Sequence, residues 1–269
     1  MAVACAEEEK SYNSYMIPYF YLDHLTFGPL RIQVWGFFVA LGIIVGTLVA
    51  IKRGKNIGIK RGVIVDLVFW MTLSSFLGGK AVFLLTSNGF NWTGKNMRLN
   101  DGFSSLGAII FGAIIAYYYV KGKNISFAQI LNIFGPALLL VDGISRIGCF
   151  FLHEHLGWVT NFIFAVNNNG VIRHDLGLYF ALASLLGFII IFALERTRKI
   201  SSGTVGYLSI FWYFLARFLL EFLYENGGEF GVEKYVGLTL MQYVSLFMVF
   251  VLLVVTLRII PKVNFRDDP

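Results

Sequence analysis

Charge is what this chain has least of. Asp, Glu, Lys and Arg supply 14% of its 269 residues, against about 25% in ordinary soluble domains. So few ionised side chains cannot coat a soluble fold of that length, which excludes one. Cysteine is nearly absent: Cys5 and Cys149 are the only two, too few for a disulfide framework. The chain has no P-loop, no dinucleotide fingerprint and no H-E-x-x-H zinc motif, so the usual signatures of nucleotide-dependent and helical zinc chemistry are missing. It shows no internal repeat, soluble domain or long linker, and reads as one membrane domain.

What it has instead is hydrocarbon. Hydrophobic residues make up 57% and aromatics 17%. A helical span needs about 20 apolar residues, and seven runs qualify: 32–51, 63–86, 103–120, 126–151, 177–194, 204–224 and 237–259. The expected fold is an all-α polytopic membrane protein, with an N-terminal segment 1–31, a seven-helix domain 32–259 and a tail 260–269. The connections after spans one, three, five and seven (KRGKNIGIKR, KGKN, ERTRK, RIIPKVNFR) together hold 13 Lys and Arg, while the opposite-side segments hold Lys95, Arg98, Arg173 and Lys234. Basic loops stay cytoplasmic, which predicts an external N-terminus and a cytoplasmic tail. The net charge of +6 reflects that bias and not a nucleic-acid partner. The start, MAVACAEEEKSYN, lacks the basic region and apolar core of a signal peptide, and its lipobox-like AVAC has no apolar run before it. Trp92, Trp158, Tyr224 and Tyr235 fall near external helix ends, and YMIPYFYLDHLTFGPLRI is expected along the outer surface. Gly78, Gly79, Gly107, Ala108 and Gly112 suit close helix contacts.

Ionisable residues inside spans cost at least about 2.5–3.5 kcal/mol each at mid-bilayer and usually mark a site. With this topology, Lys80 is late in span two, Asp142 and Arg146 late in span four, and Arg217, Glu221 and Glu225 late in span six. All fall in the outer half. At 1.5 Å per residue, Arg146 lies about 8 Å and Arg217 about 10 Å below the outer helix ends. Asp142/Arg146 and Arg217/Glu221/Glu225 are spaced i, i+4, on single faces. Structural ion pairs would have the same spacing. Yet three spans bring cations to one level beside His153-Glu154-His155, which argues for a polar cavity open to the outer leaflet. Asp66, near the inner end of span two, reads as interfacial. Arginine grips two phosphate oxygens at once, and a phosphate at that depth with tails in hydrocarbon belongs to a phospholipid.

These residues carry a resemblance. FGPLRIQVWGFFVALGIIVG, GGKAVFLL, DGFSSLGAIIFGAIIA, DGISRIGCFFLHEHLGWVT, RHDLGLYFAL, ARFLLEFLYE and GLTLMQYVSL, in that order, resemble the successive motifs of prolipoprotein diacylglyceryl transferases. The chain departs from the family pattern at Leu106, where a histidine is usual, at Trp35 for tyrosine, at Lys80 for arginine, at Ser145 for glycine and at Cys149 for asparagine. Pro-Ser-Gln is missing between His174 and Tyr179.

The resemblance implies transfer of a diacylglyceryl group from phosphatidylglycerol to the lipobox cysteine of a preprolipoprotein signal peptide, in the cytoplasmic membrane. It involves no cofactor, no metal and no nucleic acid. Such a reaction needs a thiolate and cations for the departing phosphate. Arg146 and Arg217 suit the second task, with Lys80 assisting. Glu154, His153 or His155 would take the proton, unless these histidines are ordinary interfacial loop residues. Glu221 and Asp142 would orient the arginines, and Ser104, Ser105, His174 and Tyr179 match positions lining the substrate. His153-Glu154-His155 lacks the spacing of a preformed zinc site, and Cys149 is a small buried hydrophobe before it is a nucleophile. A lipid-binding or scrambling protein on the same fold is the alternative. A solute transporter would need repeated halves, which are missing.

Overall fold

The computed structural model describes residues 17–87, 102–168, 170–197, 200, 203–227 and 231–259. Cys5, Trp92, Lys95, Arg98 and the tail 260–269 lie outside them. Seven helices occupy the described residues: α1 Val34–Asn56, α2 Arg61–Ser87, α3 Ser105–Gly122, α4 Phe127–Leu152, α5 Leu176–Arg196, α6 Val205–Leu220 and α7 Leu240–Ile259. Six are long and apolar enough to cross a membrane, and α7 carries a shorter apolar stretch, Leu240–Val255. The fold is that of an all-α polytopic membrane protein. Leu41, Ile44 and Leu48 of α1, and Leu182, Leu186 and Ile189 of α5, point outward from the protein, as lipid-facing side chains do.

Helix α4 is the centre, packed by α1, α5 and α6, while α2 pairs with α3 and α6 with α7. Small residues let these backbones approach. A Cβ on Gly135 of α4 would lie 2.8 Å from Gly206 Cα of α6, and one on Gly42 of α1 would lie 2.9 Å from the Val141 carbonyl of α4. Gly107 of α3 sits equally close to the Gly78 carbonyl of α2, at 2.5 Å for the added Cβ. At the basic end, Ala50, Ile64, Ala116, Val120, Ile130 and Ile133 form one core joining α1 to α4. There Arg53 binds Glu195 at 2.7 Å and the Asn132 carbonyl at 2.9 Å, while Asn132 Oδ1 accepts from Gly206 N at 2.8 Å. Four helices are tied at that end.

The other end carries structure that the hydrophobic pattern did not announce. Strands β4 Leu156–Val159, β5 Val166–Asn168 and β6 Val171–Asp175 follow α4 directly. Together with β1, Ile17–Pro18, they form a sheet in the order β1-β5-β6-β4. Hairpin β2–β3 (His24–Phe27, Leu30–Gln33) leads into α1, and β7–β8 (Lys234–Tyr235, Leu238–Thr239) into α7. The segment before α1 folds onto this end: Ile17 N donates to the Ala165 carbonyl and Leu22 N to the Phe151 carbonyl. Helix α6 stops at Leu220 and tightens into a 3-10 turn, Glu221–Leu223. Glu225 therefore leaves the expected stripe and pairs with Arg173 at 2.8 Å. Arg217 and Glu221 keep their pairing.

Candidate active site

Phe180, in the second turn of α5, is the floor of the site. The Arg146 guanidinium carbon from α4 lies 5.1 Å from its ring centre, and that of Arg217 from α6 lies 4.7 Å away. Two cations from different helices thus share one aromatic ring. Cation–π contact of this kind offsets about 0.5–2 kcal/mol of the cost of holding each charge there.

Each arginine is also tethered by the carboxylate one turn away. Arg146 Nε is 3.5 Å from Asp142 Oδ1, and Asp142 Oδ2 accepts from the Ser184 hydroxyl at 2.6 Å. Arg217 Nε donates to Glu221 Oε1 at 2.6 Å, and the other Glu221 oxygen accepts from the Thr239 hydroxyl. Glu221 is 2% exposed and Arg217 8%. The carboxylates therefore hold the Nε edge, and Arg217 Nη1 is buried without a partner among the described residues. An unsatisfied buried donor costs about 1–3 kcal/mol, more when it is charged. An anion brought to that nitrogen would remove the cost.

Neutral polar groups ring the two cations. Burial and both arginines push the His155 imidazole down to about 3, so it is uncharged at neutral pH. The Tyr224 ring stands edge-on to it at 6.2 Å. Burial pushes the Tyr224 hydroxyl up to about 12, so it remains a proton donor, and Lys234 Nζ fixes the Tyr224 carbonyl at 2.6 Å. Cys149 is buried one turn beyond Arg146, against Trp35. Glu154 stands at the exposed rim, its carboxyl raised by burial.

His153 and Asp175 form a second polar pair, at the junction of α4 and α5. His153 ends α4 in the left-handed conformation, φ 49° and ψ 35°, which costs an ordinary L-residue about 1–2 kcal/mol. Its Nδ1 lies 2.6 Å from Asp175 Oδ2. Asp175 Oδ1 caps α5 through Leu178 N at 3.1 Å. Asp175 is fully buried, His153 is 4% exposed, and His153 Nε2 has no partner among the described residues. The rings of Tyr19, Phe20 and Phe150 surround it, with centroids 4.8, 5.1 and 5.3 Å away.

The remaining sequence candidates have partners of their own. His174 Nδ1 is 3.0 Å from the Tyr179 hydroxyl, which reaches the Phe164 carbonyl at 3.3 Å, and burial lowers the His174 pKa. Lys80 donates to the Gly102 carbonyl at 3.3 Å and lies over the Phe83 ring. Ser104 caps α3 by accepting from Gly107 N, and Ser105 opens that helix. The Ser145 hydroxyl turns back to the Val141 carbonyl at 2.8 Å. Asp66 meets the Tyr119 hydroxyl near the basic end. Among the described residues no three His, Cys, Asp or Glu side chains gather as metal ligands. Phe180, Tyr224, Asp175, Ser184 and Thr239 were not singled out from the sequence for these roles. RHDLGLYFAL contains two of them but offers no spacing that marks them.

Fold and site together define a polytopic membrane protein with a pair of arginines, Arg217 buried and Arg146 partly buried, near the sheet-capped end of its bundle. The family model for prolipoprotein diacylglyceryl transferase matches residues 23–258, and the chain belongs to that family. It is 28% identical over 222 residues to the phosphatidylglycerol–prolipoprotein diacylglyceryl transferase of Finegoldia magna, covering 79% of this chain and 88% of that one. It is 29% identical over 222 residues to the enzyme of the same name from Staphylococcus saprophyticus, covering 75% and 78%. A Staphylococcus epidermidis enzyme of that name is 26% identical over 260 residues, covering 89% and 90%.

Proposed function

We propose that this protein moves the diacylglyceryl group of phosphatidylglycerol onto the lipobox cysteine thiol of preprolipoproteins, forming a thioether and releasing glycerol phosphate. The observation that carries this reading is the convergence of Arg146 and Arg217 on Phe180, with Arg217 Nη1 buried and without a partner among the described residues. A phosphodiester is the anion whose tails are already at home in this environment. With basic loops cytoplasmic, the N-terminus is external and the site opens toward the outer leaflet.

In the reaction the thiolate sulfur attacks the glyceryl carbon bonded to the phosphate. The carbon–sulfur bond forms as the carbon–oxygen bond breaks, and the electron pair passes to the phosphate oxygen. That step builds charge on the leaving group, which preorganised cations away from water stabilise strongly. Arg146 and Arg217 take this role. Asp142 and Glu221 orient them, while His155 and Tyr224, both uncharged, offer hydrogen bonds to the headgroup. Lys80, Ser104 and Ser105 on the α2–α3 side, and His174 and Tyr179 on the α5 side, flank the approach of lipid and peptide. Glu154 stands where the peptide enters.

The test is a lipobox peptide incubated with the protein in phosphatidylglycerol-containing membranes and read by mass. Wild type adds a diacylglyceryl group, whereas Arg146→Ala and Arg217→Ala do not. If wild type transfers nothing from any anionic phospholipid offered, the enzyme reading falls. Lipid retention that weakens in Arg146→Ala, without any thioether product in wild type, would instead mark a lipid-binding protein.

A further inference from the structure

We infer that His153, held by Asp175, is the base that takes the proton from the incoming cysteine thiol; this rests on the transferase reading. His153 is held in a costly state. It occupies a left-handed position at φ 49°, where glycine or asparagine would sit with less strain. It also leaves Nε2 buried and without a partner among the described residues. Capping alone explains neither: Asp175 Oδ1 caps α5 without help from His153.

The pair has the form of a triad from which one member is missing. In hydrolases a carboxylate fixes the imidazole through Nδ1, and Nε2 faces the nucleophile. Here Asp175 Oδ2 takes Nδ1 at 2.6 Å, which leaves Nε2 as the lone-pair nitrogen. The absent third member would come from the substrate, whose S–H is a hydrogen-bond donor looking for an acceptor.

The other candidate bases fit less well, for electrostatic reasons. A base ends the step as the conjugate acid, so its surroundings must tolerate that form. His155 would become a third cation beside Arg146 and Arg217. Glu154 stands exposed at the rim. His153 alone of the three has a carboxylate on its ring. The titratable groups about it are Asp175, Tyr19, and its chain neighbours Glu154 and His155. Tyr19, whose ring is tilted against the imidazole, is 42% exposed.

The step balances. The thiol proton moves to Nε2, sulfur bonds to the glyceryl carbon, and the carbon–oxygen electron pair goes to phosphate. The imidazolium then returns its proton to the released glycerol phosphate.

The test uses full-length protein in phosphatidylglycerol nanodiscs with a lipobox peptide. His153→Gly relieves the left-handed strain but leaves the buried Asp175 carboxylate without its imidazole partner, whereas Asp175→Asn can retain the α5 cap, so thermal unfolding is read beside activity and rates are compared per folded protein. Each should lower transfer at pH 7 by about 10²–10⁴-fold and leave phosphatidylglycerol retention unchanged. The deficit should shrink as pH rises toward about 8.5, where the thiol ionises unaided. Wild type should show no comparable rise. His155→Asn should give no deficit that alkali repairs. Wild-type rates and pH profiles in His153→Gly, a deficit that alkali does not repair, or an alkali-repairable deficit confined to His155→Asn would each overturn the assignment. An inactive wild type would instead remove the transferase reading beneath it.

Discussion

Replacing Arg217 by lysine separates charge from geometry at the heart of the site. The guanidinium uses Nε for Glu221 at 2.6 Å and holds Nη1 free of any partner among the described residues. An ammonium preserves the positive charge and can still pair with Glu221. It cannot serve that carboxylate and a phosphate from two fixed edges at once. The variant therefore forfeits about one charge-assisted hydrogen bond to the lipid, worth about 1.5–3 kcal/mol. At about 1.36 kcal/mol per decade, kcat/KM for phosphatidylglycerol should fall about 10- to 150-fold. Stability should hardly change, because Glu221 keeps a counter-ion. Arg217→Ala is less informative, since it strands a carboxylate that is 2% exposed, at about 3–5 kcal/mol. The assay follows thioether formation on a lipobox peptide in mixed micelles, with thermal unfolding as control. A fully folded Arg217→Lys protein working within threefold of wild type would show that Nη1 does not hold the phosphate.

Three further outcomes follow from the same geometry. Phe180→Leu removes the ring that both guanidiniums face, and should cost about tenfold in kcat/KM with helicity unchanged by circular dichroism. Gly206→Ala would put a methyl group 2.6 Å from Asn132 N at the α4–α6 crossing; overpacking of about 1–3 kcal/mol should lower the melting temperature in detergent by several degrees. His155 has its pKa lowered to about 3, so between that value and its unfolded value near 6.5 the unfolded chain binds the extra proton. Its contribution makes stability fall as pH drops through that window and is flat above it; wild type should lose more stability than His155→Asn between pH 7 and pH 4.

Much of the fold was legible because it is local. Apolar runs of span length match all seven helices within a few residues, since a backbone in lipid has to satisfy its own hydrogen bonds. The pairs Asp142–Arg146 and Arg217–Glu221 were readable for a similar reason: residues four apart on a helix are neighbours wherever that helix packs. Glu225 broke the pattern, because α6 tightens at Glu221 and turns the chain aside to Arg173. The sheet after α4 also has a local sign in the sequence. Asn169-Gly170 lies between Asn168 and Val171, which pair across β5 and β6, and Gly170 has φ 87°, as a tight hairpin turn prefers.

Composition and the placement of Lys and Arg were enough to say that this chain spans a membrane, and helical spacing was enough to pair its buried charges. Long-range packing alone decided that Arg146 and Arg217, 71 positions apart in the numbering, would meet over Phe180, and that His153 would find Asp175 across a helix junction. Spacing along a chain reports a contact only while the intervening backbone is regular. Beyond one helix, the meeting of two side chains depends on how whole helices cross, and here that depends on the few glycines that let α4 lie against its neighbours.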